Sequence, residues 1–314
     1  MLLVSLNLPP SSPKISCLRT RTFKMLGYLT LLLASSAAAT RSAKRGLVFI
    51  HNDNWPQDDS IWTQGGSDLT WYYNYGQEPS PQLSNVPQSR LEFVPQKWGI
   101  SSNPEDTSFS QYVTRLIDSG TNIKAVLAYN EPNYPYDWGG SQITPTNAAR
   151  AWIADFVPLQ KKGVKIGLPA VSGSPDGLVW LEQFIGNCTN LLAQKGAGSK
   201  CPYDFLPVHW YDNFEGLQSH INEAISVFPT AKIWVTEFAY AHQSLQATQD
   251  YYNKAVNYFD GFDKIERYSY FGAFRSKVSN VGVNATFLNN AGRLTDIGSW
   301  YLGGSATGVD PNSG

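Results

Sequence analysis

An alternation of short β-rich runs with loops or helical stretches is the feature that most constrains the fold of this chain. From Lys44 onward, each run ends in polar or aromatic residues before the next stretch begins. Eight strands that alternate with helices are typical of a (β/α)8 barrel, so we predict a single-domain α/β fold of the TIM-barrel type. The eight runs are Gly46–Ile50, Thr70–Tyr75, Leu91–Trp98, Lys124–Tyr129, Lys165–Leu168, Phe205–Val208, Ile233–Thr236 and Ile265–Tyr270.

Helices are predicted between the later runs, whereas long loops follow the first two. Pro145–Lys162 begins with Pro at the first helical position after Thr144, and Gly163 stands where a helix ends. Asn52–Asp68 and Glu78–Arg90 are rich in polar residues and Pro and are predicted to be loops, which is where barrels build their sites. The remaining predicted helices are Ser108–Ser119, Asp176–Cys188, Glu215–Phe228 and Thr248–Phe259.

A doubly wound open sheet is the alternative architecture. It would need a glycine-rich turn after its first strand, and the sequence has neither a GxGxxG turn there nor a phosphate-binding GxxxxGK(S/T) motif anywhere. The absence of these two motifs favours the barrel.

The charge balance excludes two classes of partner. Charged residues make up 16% of the 314 residues and the formal net charge is −1, so no strong field attracts nucleic acid or an anionic membrane. The 10 Trp and 17 Tyr are either core residues or platforms for sugar rings, because their rings are flat and apolar with a polar edge.

The N-terminus has the order of an export signal, so residues 1–39 are predicted to be a signal peptide. Basic residues up to Lys24 precede the apolar stretch Leu26–Ala34 and a small-residue cleavage region. Met25 is an alternative start, in which case the upstream residues are an extension and only the terminal amine carries the positive charge. A short buried helix is the other alternative.

The remaining chain is predicted to form one domain, 40–303, and a flexible tail, 304–314. The tail has no apolar run and therefore no lipid-anchor signal. Cys188 and Cys201 are the cysteines left after the signal, and such a pair in an exported chain is predicted to form a disulfide. N-glycosylation sequons stand at Asn187 and Asn284.

Two glutamates stand where a barrel would place catalytic groups, at the C-terminal ends of strands. Glu131 follows the fourth run and Glu237 the seventh, which puts them on opposite sides of the barrel mouth. Glycosidic cleavage needs two facing carboxyl groups, one protonated to donate to the leaving oxygen and one ionised to attack the anomeric carbon. Closely spaced carboxyl groups push their pKa values apart, which separates these roles. Either glutamate alone would be read as a solvated loop residue, but the combination predicts a glycoside hydrolase.

Polar and aromatic neighbours of these glutamates complete the predicted site. Asn130 can bind the sugar 2-hydroxyl, Tyr211 or His209 can donate to the Glu237 carboxylate, and Trp210 can form a sugar platform. An aromatic lid is the alternative for the last three. Part of the run Trp71–Tyr75 faces inward, and the sequence leaves open which part. The predicted substrate-binding residues are Asn54, Asn74, Trp98, Asn130, Asn133, His209, Trp210 and Tyr211.

Other catalytic classes lack their motifs. The histidines His51, His209, His220 and His242 show no H-x-x-x-H or H-x-H spacing, so no metal is predicted. No G-x-S-x-G elbow points to a serine hydrolase.

Several of these motifs together resemble glycoside hydrolase family 128, whose many fungal members include the alkali-sensitive-linkage type. The resemblance covers roughly residues 44–303 and includes an early Trp-Tyr-Tyr-Asn-Tyr run. It departs from the family at Ala128-Tyr129, where a small residue and Phe are frequent. The motifs that carry it are Asn130-Glu131-Pro132-Asn133, Val208-His209-Trp210-Tyr211, Trp234-Val235-Thr236-Glu237-Phe238-Ala239 and Glu266-Arg267-Tyr268-Ser269-Tyr270-Phe271.

The resemblance implies a retaining endo-β-1,3-glucanase on a (β/α)8 barrel, with Glu131 as acid/base, Glu237 as nucleophile and no cofactor. Cys188 and Cys201 also fall where fungal members have a cysteine pair. We therefore expect a secreted, extracellular or wall-located monomer that acts on polysaccharide. The alternatives are an inert glucan-binding wall protein on the same barrel, and a glucanase for β-1,4 or β-1,6 linkages.

Overall fold

The computed structural model describes residues 42–198 and 200–314. The predicted signal peptide lies outside the described residues. Within them, no helix combines the length and the apolar character that crossing a membrane requires.

Eight strands form in the part of the chain that the structure describes, and each overlaps one of the predicted runs. All of the strand pairs are parallel. The strands are β1 Arg45–Val48, β2 Trp71–Tyr73, β3 Glu92–Phe93, β4 Ala125–Val126, β5 Lys165–Ile166, β6 Phe205–Trp210, β7 Lys232–Phe238 and β8 Ile265–Tyr270.

The hydrogen-bonded ladders form two sheets rather than one closed barrel. Six strands pair in the order β3-β2-β1-β8-β7-β6, and β4 pairs with β5. Single parallel bridges join Gln96 to Leu127, beyond β3 and β4, and Gly167 to Phe205, between β5 and β6. The observed architecture is therefore an α/β fold on parallel strands. Pro95 and Pro169 follow the short strands β3 and β5, and a missing N–H at each limits the ladder there.

The six-stranded sheet is rolled tightly enough for non-neighbouring strands to touch. Trp71 on β2 and Trp234 on β7 lie 5.4 Å apart between ring centroids, although β1 and β8 separate their strands. The Arg267 guanidinium lies 4.4 Å from the Trp234 ring centroid and its Nη2 lies 2.9 Å from Glu92. Several aromatic residues thus fill the inner face below the strand ends, as the core alternative for them predicted.

Seven α-helices flank the strands in the described residues, and the long predicted helix is interrupted. Pro145–Lys162 is in fact α2, a π-helical turn over Trp152–Phe156, and α3. Pro158 explains the interruption, because it cannot donate the backbone hydrogen bond that a continuous helix needs. The helices are α1 Ser108–Asp118, α2 Pro145–Ala151, α3 Val157–Lys161, α4 Asp176–Gln194, α5 Phe214–Val227, α6 Leu245–Gly261 and α7 Asp296–Tyr301.

Of two further local predictions, the structure confirms one and corrects the other. Gly163 has φ 88°, which confirms its place at a helix end. The predicted loop Asn52–Asp68 instead contains a 3-10 helix, Pro56–Thr63, which begins at a proline. The sequence did not predict this helix because its apolar residues show no helical periodicity.

The last residues lie against the loop that follows β8. Ser276 Oγ donates to Pro311 O at 2.6 Å, and the Asn290 backbone N–H donates to Ser313 O at 3.1 Å. These bonds join small polar and backbone groups, and a composition-based prediction of a flexible tail did not foresee them.

Cys188 in α4 and Cys201 before β6 form the predicted disulfide. The side-chain amides of the sequon residues Asn187 and Asn284 donate to Thr146 and to the Gln243 carbonyl. Their glycosylation stays a prediction.

We expect the disulfide to stabilise the fold through the short loop that it closes. Replacing both Cys188 and Cys201 by Ala should lower the free energy of unfolding by about 2–4 kcal/mol, measured by urea unfolding. Reduction of the native protein should have a similar effect and should not change the double variant. Equal stability of the native and the doubly substituted protein would contradict the expectation.

Candidate active site

The two predicted glutamates meet in one cleft of about 930 Å³ at the C-terminal ends of the strands. Glu131 follows β4 and Glu237 lies in β7. One carboxylate oxygen of each, together with a ring nitrogen of His209, lie within 4.8 Å of one another. The sequence spacing therefore brings the carboxyl groups together as predicted.

A tight turn holds Glu131 in place. Its backbone has φ 39°, an unusual left-handed conformation for a residue other than glycine. Its N–H donates to Ala170 O at 2.7 Å, beyond β5. Gly140 packs against the turn so closely that a Cβ there would lie 2.5 Å from Glu131 O and 2.3 Å from Tyr134 O. Only glycine fits this contact without moving Glu131.

Two tyrosine hydroxyl groups donate to the Glu237 carboxylate, and a third lies close to it. Tyr75 donates at 2.7 Å to one oxygen, Tyr211 donates at 2.5 Å to the other, and Tyr73 lies 3.4 Å away. Burial raises the pKa of each tyrosine well above its ordinary value, and the charge of Glu237 adds to this. The phenols therefore stay protonated and donate, which favours an ionised carboxylate.

An irregularity in the sheet places His209 opposite this carboxylate. β6 and β7 pair Val208 with Val235 but His209 with Glu237, so Thr236 is an extra residue on β7. The carbonyl of Thr236 accepts the hydroxyl hydrogen bonds of Tyr73 and Ser269. The bulge thus turns Glu237 toward the cleft, and the Thr236 carbonyl that it releases from the sheet still has hydrogen-bond donors.

His209 lies between the two carboxyl groups and is 1% exposed. Its Nδ1 is 3.0 Å from Glu131 Oε1 and 3.5 Å from Glu237 Oε2. Burial lowers the pKa of His209, but the charge of Glu237 and the hydrogen bond and charge of Glu131 outweigh it and raise that pKa above its ordinary value. A protonated His209 would therefore compensate the charge of the carboxylates.

Glu131, His209 and Glu237 are also the one group of potential metal ligands among the described residues. The donors around them favour another use. The hydroxyl hydrogens of Tyr75 and Tyr211 already point at Glu237, and a cation would compete with them for the same oxygens. The hydrogen bonds around Glu237 therefore favour a use of the two carboxyl groups that needs no metal ion.

The other predicted site residues divide into two sets. Trp98, Asn130, Trp210 and Tyr211 line the cleft, and His209 lies beneath it. The buried Oδ1 of Asn130 has no hydrogen-bond partner, while its Nδ2 donates to Gly139 O.

Asn54, Asn74 and Asn133 do not line the cleft, contrary to the prediction. Asn54 is exposed, with its backbone N–H bonded to Asn52 Oδ1. Asn74 bonds Ser80 Oγ at 2.7 Å because strand alternation turns its neighbours on either side, rather than Asn74, inward. Asn133 bonds the loop after β5 instead.

Several cleft residues were not predicted. Tyr75 belongs to the aromatic run Trp71–Tyr75. Alternation along a strand indicated that every second residue of this run faces inward, but one sequence could not show which residues those are. Tyr134, Trp138, Ser172 and Ser174 line the cleft from loops after β4 and β5. An aromatic-rich stretch directly after Asn130-Glu131-Pro132-Asn133 was the only sequence signal for Tyr134 and Trp138, and Ser172 and Ser174 had none.

Residues 46–301 match the family described as glycosyl hydrolase catalytic core. The chain belongs to this family. The resemblance to glycoside hydrolase family 128 is confirmed as well, by a curated relative and by solved structures of that family.

The curated relative is alkali-sensitive linkage protein 1 of Schizosaccharomyces pombe. It is 28% identical over 270 residues, which are 83% of this chain and 44% of the relative. The chain thus spans less than half the length of that relative.

Three solved structures of family 128 show the range of proteins with this fold. An endo-β-1,3-glucanase from Lentinula edodes is 26% identical, with a TM-score of 0.63 over 82% of this chain and 98% of its own. A curdlan-specific exo-β-1,3-glucanase from Blastomyces gilchristii is 25% identical, with a TM-score of 0.62 over 83% and 98%. An oligosaccharide-binding protein from Cryptococcus neoformans is 20% identical, with a TM-score of 0.61 over 85% and 97%.

We expect the titration of His209 to report its place between the carboxyl groups. In histidine-labelled protein followed by NMR, His209 should titrate above the ordinary pKa of about 6.5 and His220 below it, since burial dominates at His220. Glu131→Gln should lower the pKa of His209, because one of the two raising carboxylates is lost. A folded-state pKa of His209 below that of His220 would refute this arrangement.

The same shift sets the sign of a stability effect. Protonation of His209 stabilises the folded state fully below the unfolded pKa of about 6.5, and this contribution disappears as pH rises through the raised folded pKa. The stability difference between the native protein and His209→Gln should therefore shrink as pH rises.

Proposed function

We propose that this chain is a retaining β-1,3-glucanase that uses Glu131 as acid/base and Glu237 as nucleophile. The observation that carries the proposal is that one oxygen of each carboxyl group lies within 4.8 Å of one of the other in an aromatic-lined cleft. Retaining glycosidases hold their carboxyl groups about 5–5.5 Å apart, whereas inverting enzymes need about 6.5–9.5 Å to admit a water molecule. The separation supports direct attack by a carboxylate.

The surroundings of the two groups support their separate roles. Glu237 accepts hydrogen bonds from Tyr75 and Tyr211, which favour the ionised form that a nucleophile needs. Glu131 lines the cleft and has His209 as its side-chain partner, so its other oxygen can reach a glycosidic oxygen.

Cleavage then takes two displacements. In the first, a Glu237 oxygen forms a bond to the anomeric carbon, the bond to the leaving oxygen breaks, and the Glu131 proton moves to that oxygen. In the second, water attacks the same carbon and gives a proton to Glu131, and the bond to Glu237 breaks. The free Oδ1 of Asn130 can accept a hydrogen bond from a sugar hydroxyl beside the reacting carbon.

The linkage and the mode of action follow from the relatives and from the cleft. The family 128 structures named above include β-1,3-glucanases of both endo and exo type. No residue of the loop Glu78–Arg90 lines the cleft, so this loop does not block an end of it, which supports endo action. Cleavage of internal bonds should release a ladder of oligosaccharides rather than glucose alone.

We extend the proposal to the whole protein. The strand bridges and the contact between Trp71 and Trp234 support a closed (β/α)8 barrel over residues 40–303. The disulfide supports export to the cell exterior or wall, where the protein would act as a monomer without a cofactor.

An inert glucan-binding protein is the second candidate, because an oligosaccharide-binding protein shares the fold. The two bonded and oriented carboxyl groups count against it, since binding alone requires neither. Activity measurements separate the two functions.

Glu237→Gln should abolish hydrolysis while the fold and binding persist. The mature protein should release reducing sugar from laminarin but not from cellulose or pustulan, and the variant should lose on the order of 10³-fold or more in kcat. Laminarin retention by both proteins on an affinity gel controls for folding. If all three glucans stay intact while laminarin still binds, the inert-protein alternative is correct.

Gly140→Ala should reduce kcat without any contact between residue 140 and substrate. The new methyl group would collide with the carbonyl oxygens of Glu131 and Tyr134 and displace the acid/base, and a shift of about 1 Å costs about 10²-fold. Gly186→Ala is the matched control, because its Cβ meets nothing within 4 Å. Equal activity of both variants would show that the turn does not position Glu131.

A further inference from the structure

Trp138 is a large aromatic side chain that the catalytic assignment leaves unexplained. It is 70% exposed, yet it lines the cleft. Its ring meets Tyr134 edge to face, with centroids 5.5 Å apart. Tyr136 is 60% exposed on the same loop and does not line the cleft. Covering an exposed indole beside a site is favourable, because it removes apolar surface from water.

The loop fixes Trp138 relative to Glu131. Trp138 N–H donates to Pro135 O at 3.0 Å, and Gly140 N–H donates to the same carbonyl at 3.1 Å. Asn130 Nδ2 donates to Gly139 O at 3.1 Å, which ties the residue after Trp138 to the residue before Glu131. Binding a sugar on this indole therefore requires little ordering of the chain.

A polar wall stands on the neighbouring loop. Ser172 and Ser174 line the cleft, and Asn133 Nδ2 donates to their hydroxyl oxygens at 2.8 and 3.2 Å. Ser174 also donates to Asp176. An apolar ring beside a row of fixed hydroxyl groups suits a pyranose, which has apolar faces and hydroxyl edges.

The position of these loops indicates which sugar they bind. β4 and β5 pair directly, so Trp138 and Ser172–Ser174 occupy the same side of the cleft as Glu131. On the side of Glu237, Tyr75, after β2, donates to its carboxylate, and Phe271, after β8, packs against Tyr211. Because the acid/base protonates the leaving oxygen, the sugar attached through that oxygen extends past Glu131 rather than past Glu237.

We propose that Trp138, with the Ser172–Ser174 wall, forms the subsite for the sugar on the leaving-group side of the cleaved bond. This inference rests on the proposed glycosidase function. The subsite contributes to cleavage of oligosaccharides and to transfer of the glycosyl group onto a sugar acceptor, but not to turnover of a substrate whose leaving group is not a sugar.

Two substrates test this assignment. Laminaripentaose places a sugar on the leaving-group side, whereas β-laminaribiosyl fluoride releases only fluoride. Trp138→Ala should lower kcat/KM for laminaripentaose about 10- to 100-fold, the cost of removing a central aromatic contact. It should change kcat/KM for the fluoride less than about threefold, within the scatter expected when no contact is lost. Trp138→Phe should restore most of the pentaose activity.

Asp137→Ala is the control, since it removes an exposed side chain of the same loop that does not line the cleft, whereas Tyr136 stacks on the cleft residue Trp98. The ratio of the two kcat/KM values should not change in this variant. With the fluoride as donor, Trp138→Ala should also raise the laminaribiose concentration needed for half-maximal transfer by about tenfold.

The outcomes separate this inference from the proposed function. If the native protein cleaves both substrates and Trp138→Ala lowers both equally or neither, the glycosidase stands and the subsite assignment is wrong. If Asp137→Ala changes the ratio as much as Trp138→Ala does, the effect belongs to the loop and the assignment is also wrong. If the native protein cleaves neither substrate, the proposed function fails and the subsite fails with it.

Discussion

The hydrogen bonds that converge on Glu237 are the constraint on which the rest of the site depends. A buried carboxylate is stable only where donors replace water, and here the donors come from strands that are far apart in the sequence. Tyr75 follows β2, Tyr211 follows β6, and His209 lies in β6. Tyr211 and His209 reach Glu237 from the neighbouring strand, whereas Tyr75 reaches it only because the sheet is rolled. The full set of donors to Glu237 therefore depends on the curvature of the sheet.

His209 connects the two halves of the site. Its Nδ1 faces both carboxyl groups, and the bulge at Thr236 sets the phase of β7 so that Glu237 is its partner. On the other side, the strained turn at Glu131 is held by Gly140 and by a bond to Ala170. The pair of carboxyl groups is therefore positioned by backbone geometry more than by the side chains that would touch a substrate.

The sequence predicted the strands and both glutamates because these rest on local signals. Apolar runs that end in a polar residue identify strand ends, and parallel strands bring those ends together. The position of Asn74 was not predicted because the inward phase of a strand depends on its neighbours across the sheet. The position of Asn54 was not predicted because it lies in the loop after β1. The position of Trp138 was not predicted either, because it lies in a loop whose path no periodicity of the sequence indicates. The π-helical turn before Pro158 shows the same limit within one helix.

The pairing of β1 with β8 has a consequence for the synthesis of the chain. Between Tyr75 and Glu237 the sheet runs β2-β1-β8-β7, so two strands from opposite ends of the fold separate the groups that touch. Until residues 265–270 leave the ribosome, the first strand has no partner on one edge and the carboxylate has no complete set of donors. The nascent chain cannot complete the hydrogen bonds of Glu237 at any earlier length, and the many long-range contacts imply slow folding. The group of side chains around Glu237 thus stays incomplete until the eighth strand has been made.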